Sequence, residues 1–385
     1  MSKGKRQLAW VLVIMLSLSM AACSNKETDT LEETNIENVD PTEEPIGIEG
    51  EEEAVEEAAA KAAEEEANTC YEEGRACLYG LNGYEIDLEA AYTNFEKALE
   101  LGKTEANFYL GVLYDWYNYP GKDYEKAREY YKAAGDNPYA WLSLGNLYYY
   151  GQGVEEDTAK AQELFEAVIA EGCAEGYLGR GEIAMTDEDY DTALECFNRV
   201  LEGEEQIYIA VATYYIAYMY QTGQGAEQDY KKTMEWFEKA ADLGYGNAMN
   251  GIAYMYYSGQ GVEQDYAKAM EWFEEAADLG DSYAMYYIAY MYQTGQGAEQ
   301  DLVKALEWYE KSADLGNTDA MGSLGTYYLA TQEYAKALGW FKKAADLGNA
   351  DAMDVIASMY ENGIGVARNS EKAQEWRDKA QEARK

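Results

Sequence analysis

Carboxylates, thiols and phenols are the groups with which this 385-residue chain could do chemistry: 73 Asp and Glu, 5 Cys and 38 Tyr, with no histidine at all. The absence of imidazole removes Ser/His/Asp and Cys/His nucleophilic catalysis, histidine metal sites and imidazole proton shuttles together. Carboxylate pairs remain, and two that flank a sugar can hydrolyse it. Acids are spread along the whole chain, however, so no pair is singled out by its spacing. The run Asp187, Glu188, Asp189, Tyr190, Asp191 begins like a calcium loop. It has Thr192 where the sixth-position glycine belongs and Asn198 where the twelfth-position glutamate belongs, so it reads as a solvated helix start. Gly121, Lys122 and Asp123 lack a phosphate-loop context and read as a turn. Cys70 and Cys77, seven apart on one helix, lie about 10 Å from each other, beyond disulfide reach. With Cys173 and Cys196 they read as small buried hydrophobes; no CxxC and no metal-ligand spacing occurs, and no cofactor is implied.

Charge narrows the partners. A formal net charge of -43 repels phosphate backbones and anionic lipid heads, which excludes nucleic acid. Basic peptides, cations and neutral glycans are what such a field tolerates.

The N-terminus has the layout of a secretory signal. Lys3, Lys5 and Arg6 precede an apolar run from Leu8 to Met20, then Ala21, Ala22 and Cys23. The run is short for a spanning helix, which wants about 20 apolar residues. It resembles a bacterial lipoprotein signal, with residues 1–22 removed and Cys23 lipidated, although Met20 stands where leucine is usual. The alternatives are a plain signal peptide or an uncleaved anchor. The lipoprotein reading places the protein outside the cytoplasm, on the outer face of the bacterial cell membrane, touching lipid only through Cys23. Residues 23–50, acidic and poor in large apolar groups, read as a disordered tether spanning about 30 Å. Residues 51–67 are Ala/Glu-rich and helical, and lead into residues 68–385, which are periodic.

The period is written in one repeated pattern: an alanine, an Ile or Leu four later, a small residue next, and a tyrosine three further on. Ala212/Ile216/Ala217/Tyr220, Ala248/Ile252/Ala253/Tyr256 and Ala284/Ile288/Ala289/Tyr292 follow it at steps of 36 residues. So do Ala106/Leu110, Ala140/Leu144, Ala320/Leu324 and Ala352/Ile356, with a degenerate copy at Ala174/Leu178. A further copy before them makes about nine units. Within each unit the apolar spacing is helical twice over. Gly259 and Gly261 fit the turn between the two helices. Asp157, Asp229, Asp265 and Asp301 fit the N-cap of the second helix, and Gly244, Gly280, Gly316 and Gly348 its end. Ala248, Ala253, Ala269 and Ala276 permit close helix approach around Trp272 and Phe273. One hairpin cannot bury such a stripe alone, so the units must stack.

The alanine, Leu-Gly, Tyr, G-x-G-V, Asp, K-A, W-[FY] and A-A-x-x-G positions, nearly complete from Ile252 to Gly280, resemble the Sel1-like repeat family, a relative of the tetratricopeptide repeats. The resemblance covers Ala106 to Ala380 well and 68–103 weakly. Two units depart from it: the third full unit lacks G-x-G and has Cys196 at the tryptophan place, and the loop of a later unit shrinks to Ala330–Tyr334. What it implies is an all-α, right-handed α-solenoid superhelix of helix-turn-helix repeats, acting as a non-enzymatic scaffold for a protein or peptide. Cysteine-rich relatives linked to β-lactams offer a minor enzymatic alternative, but their paired cysteines are missing here.

The resemblance also implies that the first helix of each unit lines a concave surface. With Ile216, Ile252 and Ile288 as the buried reference, the positions five and two before and two and five after face outward. They hold Tyr214, Tyr218 and Gln221; Asn247, Asn250, Tyr254 and Tyr257; Tyr283, Tyr286, Tyr290 and Gln293; and, upstream, Tyr139, Asn146 and Tyr149. A tyrosine ladder with interleaved amides suits an extended peptide or a cell-wall glycan, the latter making the protein a glycan-binding module or an accessory to an envelope enzyme. Downstream the same positions hold Asp319, Thr326, Asp351, Asp354 and Glu361, a grading toward acid that favours a ligand with a basic end.

Overall fold

The computed structural model describes residues 48–81, 84–117 and 119–384. The segment 1–22, Cys23 and almost all of the 23–50 tether lie outside the described residues. All 18 elements are α-helices, with no strand among the described residues. No described helix is long and apolar enough to cross a membrane.

The chain divides into two units within one helix. Unit 1, up to Ile216 and including Gln224–Glu227, is built from four hairpins: α1 (Ile48–Tyr79) with α2 (Leu88–Glu100), α3 (Ala106–Asp115) with α4 (Tyr124–Ala133), α5 (Pro138–Tyr149) with α6 (Thr158–Ala170), and α7 (Gly176–Thr186) with α8 (Tyr190–Val200). The Ala/Glu-rich stretch is continuous with the first repeat helix, as α1 shows. The boundary falls inside α9 (Gln206–Thr222). Unit 2 comprises Ala217–Gly223 and everything from Gln228. It contains α10 (Tyr230–Asp242), then the pairs α11 (Gly246–Ser258) and α12 (Tyr266–Asp278), α13 (Ser282–Thr294) and α14 (Leu302–Asp314), α15 (Thr318–Ala330) and α16 (Tyr334–Asp346), α17 (Ala350–Asn362) and α18 (Ser370–Ala383).

Local chemistry builds each hairpin in the same way. Gly259 closes α11 in the left-handed region at φ 73, and its N–H bonds the Met255 carbonyl at 2.9 Å. Asp265 then starts α12, its Oδ1 accepting from the N–H groups of Ala267 and Lys268 at 3.1 Å each. Such a cap stabilises a helix by about 1 kcal/mol. The backbone N–H of the same aspartate donates to the Tyr256 carbonyl at 3.0 Å, clipping the loop back onto the first helix. Asp157, Asp229 and Asp301 repeat both bonds. The two loops that depart from the repeat turn without glycine: Glu188 and Gln332 take φ of 60 and 64.

The core is a series of rings on second helices. Phe95, Tyr131, Phe165, Phe197 and Phe273 are fully buried, and Phe237, Tyr309 and Phe341 nearly so. Trp272 sits half-buried at the edge of this layer. The first helices meet the rings with small residues for a steric reason. A Cβ on Gly145 would lie 2.4 Å from Phe165 Cε1, and one on Gly325 2.7 Å from Phe341 Cε1. Ile216, Ile252 and Ile288 are buried at 1% exposure or less, which confirms the helical reference of the sequence reading. Cys70, Cys77, Cys173 and Cys196 are buried free thiols.

Candidate functional site

Three tyrosines in unit 2 occupy one register, two residues after the buried isoleucine. Tyr218, Tyr254 and Tyr290 are 37%, 37% and 36% exposed, near-equal openings on successive first helices. Tyr283, at the N-terminal end of α13, is 58% exposed. Asn247 is exposed beside them and donates from Nδ2 to the Tyr245 hydroxyl at 3.2 Å.

The other ladder residues are more enclosed. Tyr257 lies 6.3 Å from Tyr254 and 5.7 Å from Tyr287, centroid to centroid. Its hydroxyl donates to Gln296 Oε1 at 3.0 Å, and burial pushes its phenol up to about 12. Tyr286 is half-buried between Tyr287 and Tyr309, and burial raises its pKa as well. Asn250 is half-buried, with Oδ1 covered and unpartnered. Gln293 is exposed and accepts at Oε1 from the Tyr309 hydroxyl at 2.7 Å. The Gln221 carbonyl accepts from Gln228 Nε2 at 2.8 Å.

In unit 1 the ladder breaks. Tyr139 is only 6% exposed, with its ring 6.4 Å from that of Phe108, so it is a packing residue rather than part of an outward face. Asn146 is half-buried. Tyr149 is half-buried too, and its hydroxyl lies 2.6 Å from Thr186 Oγ1. Tyr214 is half-buried and meets Tyr215 edge to face at 5.8 Å. The structure therefore keeps the row of unit 2 as an open surface and leaves Tyr139 out of it.

The acidic grading also needs correction. Arg384 Nη2 reaches Asp351 Oδ1 and Asp354 Oδ2 at 2.7 Å each, and Arg377 pairs with Glu361. Arg377 of the last helix and its C-cap Arg384 thus supply cations to three carboxylates expected to face a ligand.

Three features were missed in the sequence. The first is the glutamine between the loop glycines: Gln296 Nε2 donates to the Tyr266 hydroxyl at 3.1 Å, and Gln224 Nε2 to that of Tyr190 at 2.9 Å. Its recurrence was the available signal. The second is a set of tyrosines that stack flat on the preceding ring layer: Tyr109 on Phe95, Tyr215 on Phe197 and Tyr287 on Phe273, at 4.9, 4.9 and 5.0 Å. The third is a buried carboxylate pair, Glu175 and Glu205, each 4% exposed with an unpartnered oxygen. Burial raises both pKa values, Glu205 to about 7, and the like charges of Glu175 and Glu204 add to the effect at Glu205. Nothing in the sequence separates these two from the surface acids around them. Among the described residues no group of three or more His, Cys, Asp or Glu is placed to hold a metal ion.

Comparison with known proteins agrees with this architecture. The Sel1 repeat family profile matches residues 67–103, 104–139, 140–172, 210–245, 246–281, 282–317, 319–349 and 350–380. The segment left between the third and fourth matches holds the α7/α8 hairpin, which folds like the others without the G-x-G loop. An uncharacterised protein of Neisseria meningitidis serogroup B is 31% identical over 160 residues, 39% of this chain and 33% of that one. The matched region thus spans about a third of the length of that curated relative. A protective antigen of uropathogenic Escherichia coli displaying an SLR fold is 27% identical, covering 87% of this chain and 79% of its own, with a TM-score of 0.42. A Sel1 repeat protein from Oxalobacter formigenes is 27% identical over 73% of this chain and 99% of its own, with a TM-score of 0.44. Sel1 repeat proteins serve as protein–protein interaction scaffolds. With eight repeat matches on nearly all of its hairpins, this chain belongs to the Sel1 repeat family.

Proposed function

We propose that this protein is a non-enzymatic scaffold of the cell envelope, lipid-anchored through Cys23 to the outer face of the bacterial membrane, and that it holds an extended peptide segment of a partner against the first helices of unit 2. The observation that carries the reading is the register of Tyr218, Tyr254 and Tyr290, each about equally open. Rings recurring at one helical position offer large contact area at low entropic cost, one contact per repeat. The surrounding amides, Asn247 and Gln293, supply orientation by hydrogen bonding. A net charge of -43 attracts basic segments and speeds their encounter.

The test is the triple substitution Tyr218→Ala, Tyr254→Ala, Tyr290→Ala in a pull-down from envelope extracts. Buried tyrosine anchors at interfaces contribute about 2 kcal/mol or more apiece. The triple variant should therefore lose the partner while its circular dichroism is unchanged. Retention of the partner by the folded variant would remove the row from the binding surface. Capture of purified peptidoglycan in place of a protein would replace the peptide by a glycan. For the anchor, metabolic labelling with palmitate should mark the wild type and not Cys23→Ser.

A further inference from the structure

Unit 1 contains a half-open cavity of about 310 Å³ where α5 and α7 end and α6 begins, and Tyr150 in its wall is 54% exposed. That size is within the range of small-molecule sites. Tyr149 and Tyr150 line it, together with Ile183, Thr158, Thr186 and two acidic residues, Glu156 and Asp187. No lysine or arginine is among the lining residues.

The two rings stand edge to face, 4.9 Å apart at 65°. Their hydroxyls are engaged by the protein. Tyr149 is bonded to Thr186 Oγ1 at 2.6 Å and donates to the Glu182 carbonyl at 3.3 Å. Tyr150 donates to Glu182 Oε2 at 3.1 Å, while Glu182 Oε1 accepts from Tyr215 at 2.8 Å. With both hydroxyls bonded within the protein and one ring's face met by the other's edge, what remains for a ligand is ring surface more than hydroxyl. A phenol that donates to a carboxylate is polarised toward a more electron-rich ring, which strengthens attraction for a cation.

Backbone electrostatics add to this. α5 and α7 both present their C-terminal ends here: the N–H of Tyr150 bonds the Asn146 carbonyl, and that of Asp187 bonds Ile183. Helix C-termini carry partial negative charge. The opposing N-terminus of α6 is capped by Asp157, whose Oδ1 accepts from the Lys160 N–H at 2.9 Å. Two rings, two carboxylates and two helix C-termini make a site for positive charge. Its apolar component, Tyr149, Tyr150 and Ile183, is wasted on a hydrated metal ion and matches a cation that carries its own alkyl coat.

We propose that this cavity binds an alkylammonium head, either the lysine ammonium of a protein partner or a free quaternary ammonium. The inference does not rest on the tyrosine row of unit 2, because every lining residue belongs to unit 1.

Isothermal titration of the purified full chain tests it with three probes: choline, its neutral isostere 3,3-dimethylbutan-1-ol, and Nα-acetyl-lysine amide. The cations should bind saturably and the isostere about two- to fivefold more weakly, the range of a partly exposed cation–π contact. Glu156→Gln with Asp187→Asn should weaken choline by a similar factor, and Tyr150→Leu likewise. If Tyr150→Leu does not fold, the carboxylate variant decides. Tighter binding of choline assigns the site to a small quaternary ammonium, and tighter binding of the lysine amide to a protein side chain. The triple tyrosine variant of unit 2 should bind choline as the wild type does, which separates this site from the scaffold surface. Equal binding of the isostere, or no saturable binding of either cation, overturns the proposal.

Discussion

Replacing Glu205 by glutamine should make the protein more stable, and only at high pH. Burial, then the charges of Glu175 and Glu204, hold the Glu205 carboxyl near 7 instead of its ordinary 4.5. The neighbouring Tyr208 brings no positive charge. A carboxyl whose folded pKa is raised favours the folded state while protonated. That contribution is complete below about 4.5 and is lost as pH rises through about 7. The difference between 4.5 and about 7 corresponds to about 3–4 kcal/mol at most. Between pH 5.5 and pH 8 the wild type should lose about 2 kcal/mol of this, because the unfolded chain is already ionised at pH 5.5 while the folded one is not. Glu205→Gln keeps the shape without the charge and should show no such loss. Urea titration followed by circular dichroism at the two pH values gives the comparison, with hydrogen exchange in α7 as the local readout. Self-repulsion of the whole acidic chain acts on both proteins equally and cancels in the difference. Parallel pH dependence of the two proteins would refute the reasoning, as would an equal destabilisation at both pH values, which would mean that the carboxylate is well solvated or well bonded.

Two further changes probe the packing and the loops. Gly145→Ala should destabilise by about 1–3 kcal/mol, because its Cβ would lie 2.4 Å from Phe165; Gly322→Ala, on α15 with nothing within 4 Å, should instead stabilise by about 0.5–1 kcal/mol. Thermal melts of the pair give opposite signs if ring approach is the cause. Gln332→Gly relieves a non-glycine residue at φ 64 and should raise stability by about 0.5–1 kcal/mol in urea titration, whereas a loss would mean that its side chain contributes more than its backbone costs.

Much of the fold was legible because its determinants lie within one repeat. Asp265 caps the helix that its spacing predicts, Gly259 turns where the apolar period stops, and Phe273 is buried where the pattern puts an inward ring. Repetition multiplies these signals, so even the α7/α8 hairpin without its G-x-G loop could be placed. The candidate face was less legible. Ile216, Ile252 and Ile288 set the right helical phase, yet residues in that phase differ in exposure from Tyr283 at 58% to Tyr139 at 6%.

Sequence by itself determined the helices, their caps, the repeat and the inward side of each helix, since all of these follow from contacts within about 36 residues. Tertiary packing alone decided which outward residues stay open. Tyr139 and Tyr283 are the same residue at the same register, but the preceding repeat sets Phe108 against the first. At the corresponding place before the second it has Asn250, which has no ring to close over it. It likewise buried Glu175 and Glu205, thirty residues apart, to 4% exposure each and left one oxygen of each carboxyl covered without a partner. A side chain's register is a property of its own helix, whereas its solvation is set by what the neighbouring repeat happens to carry.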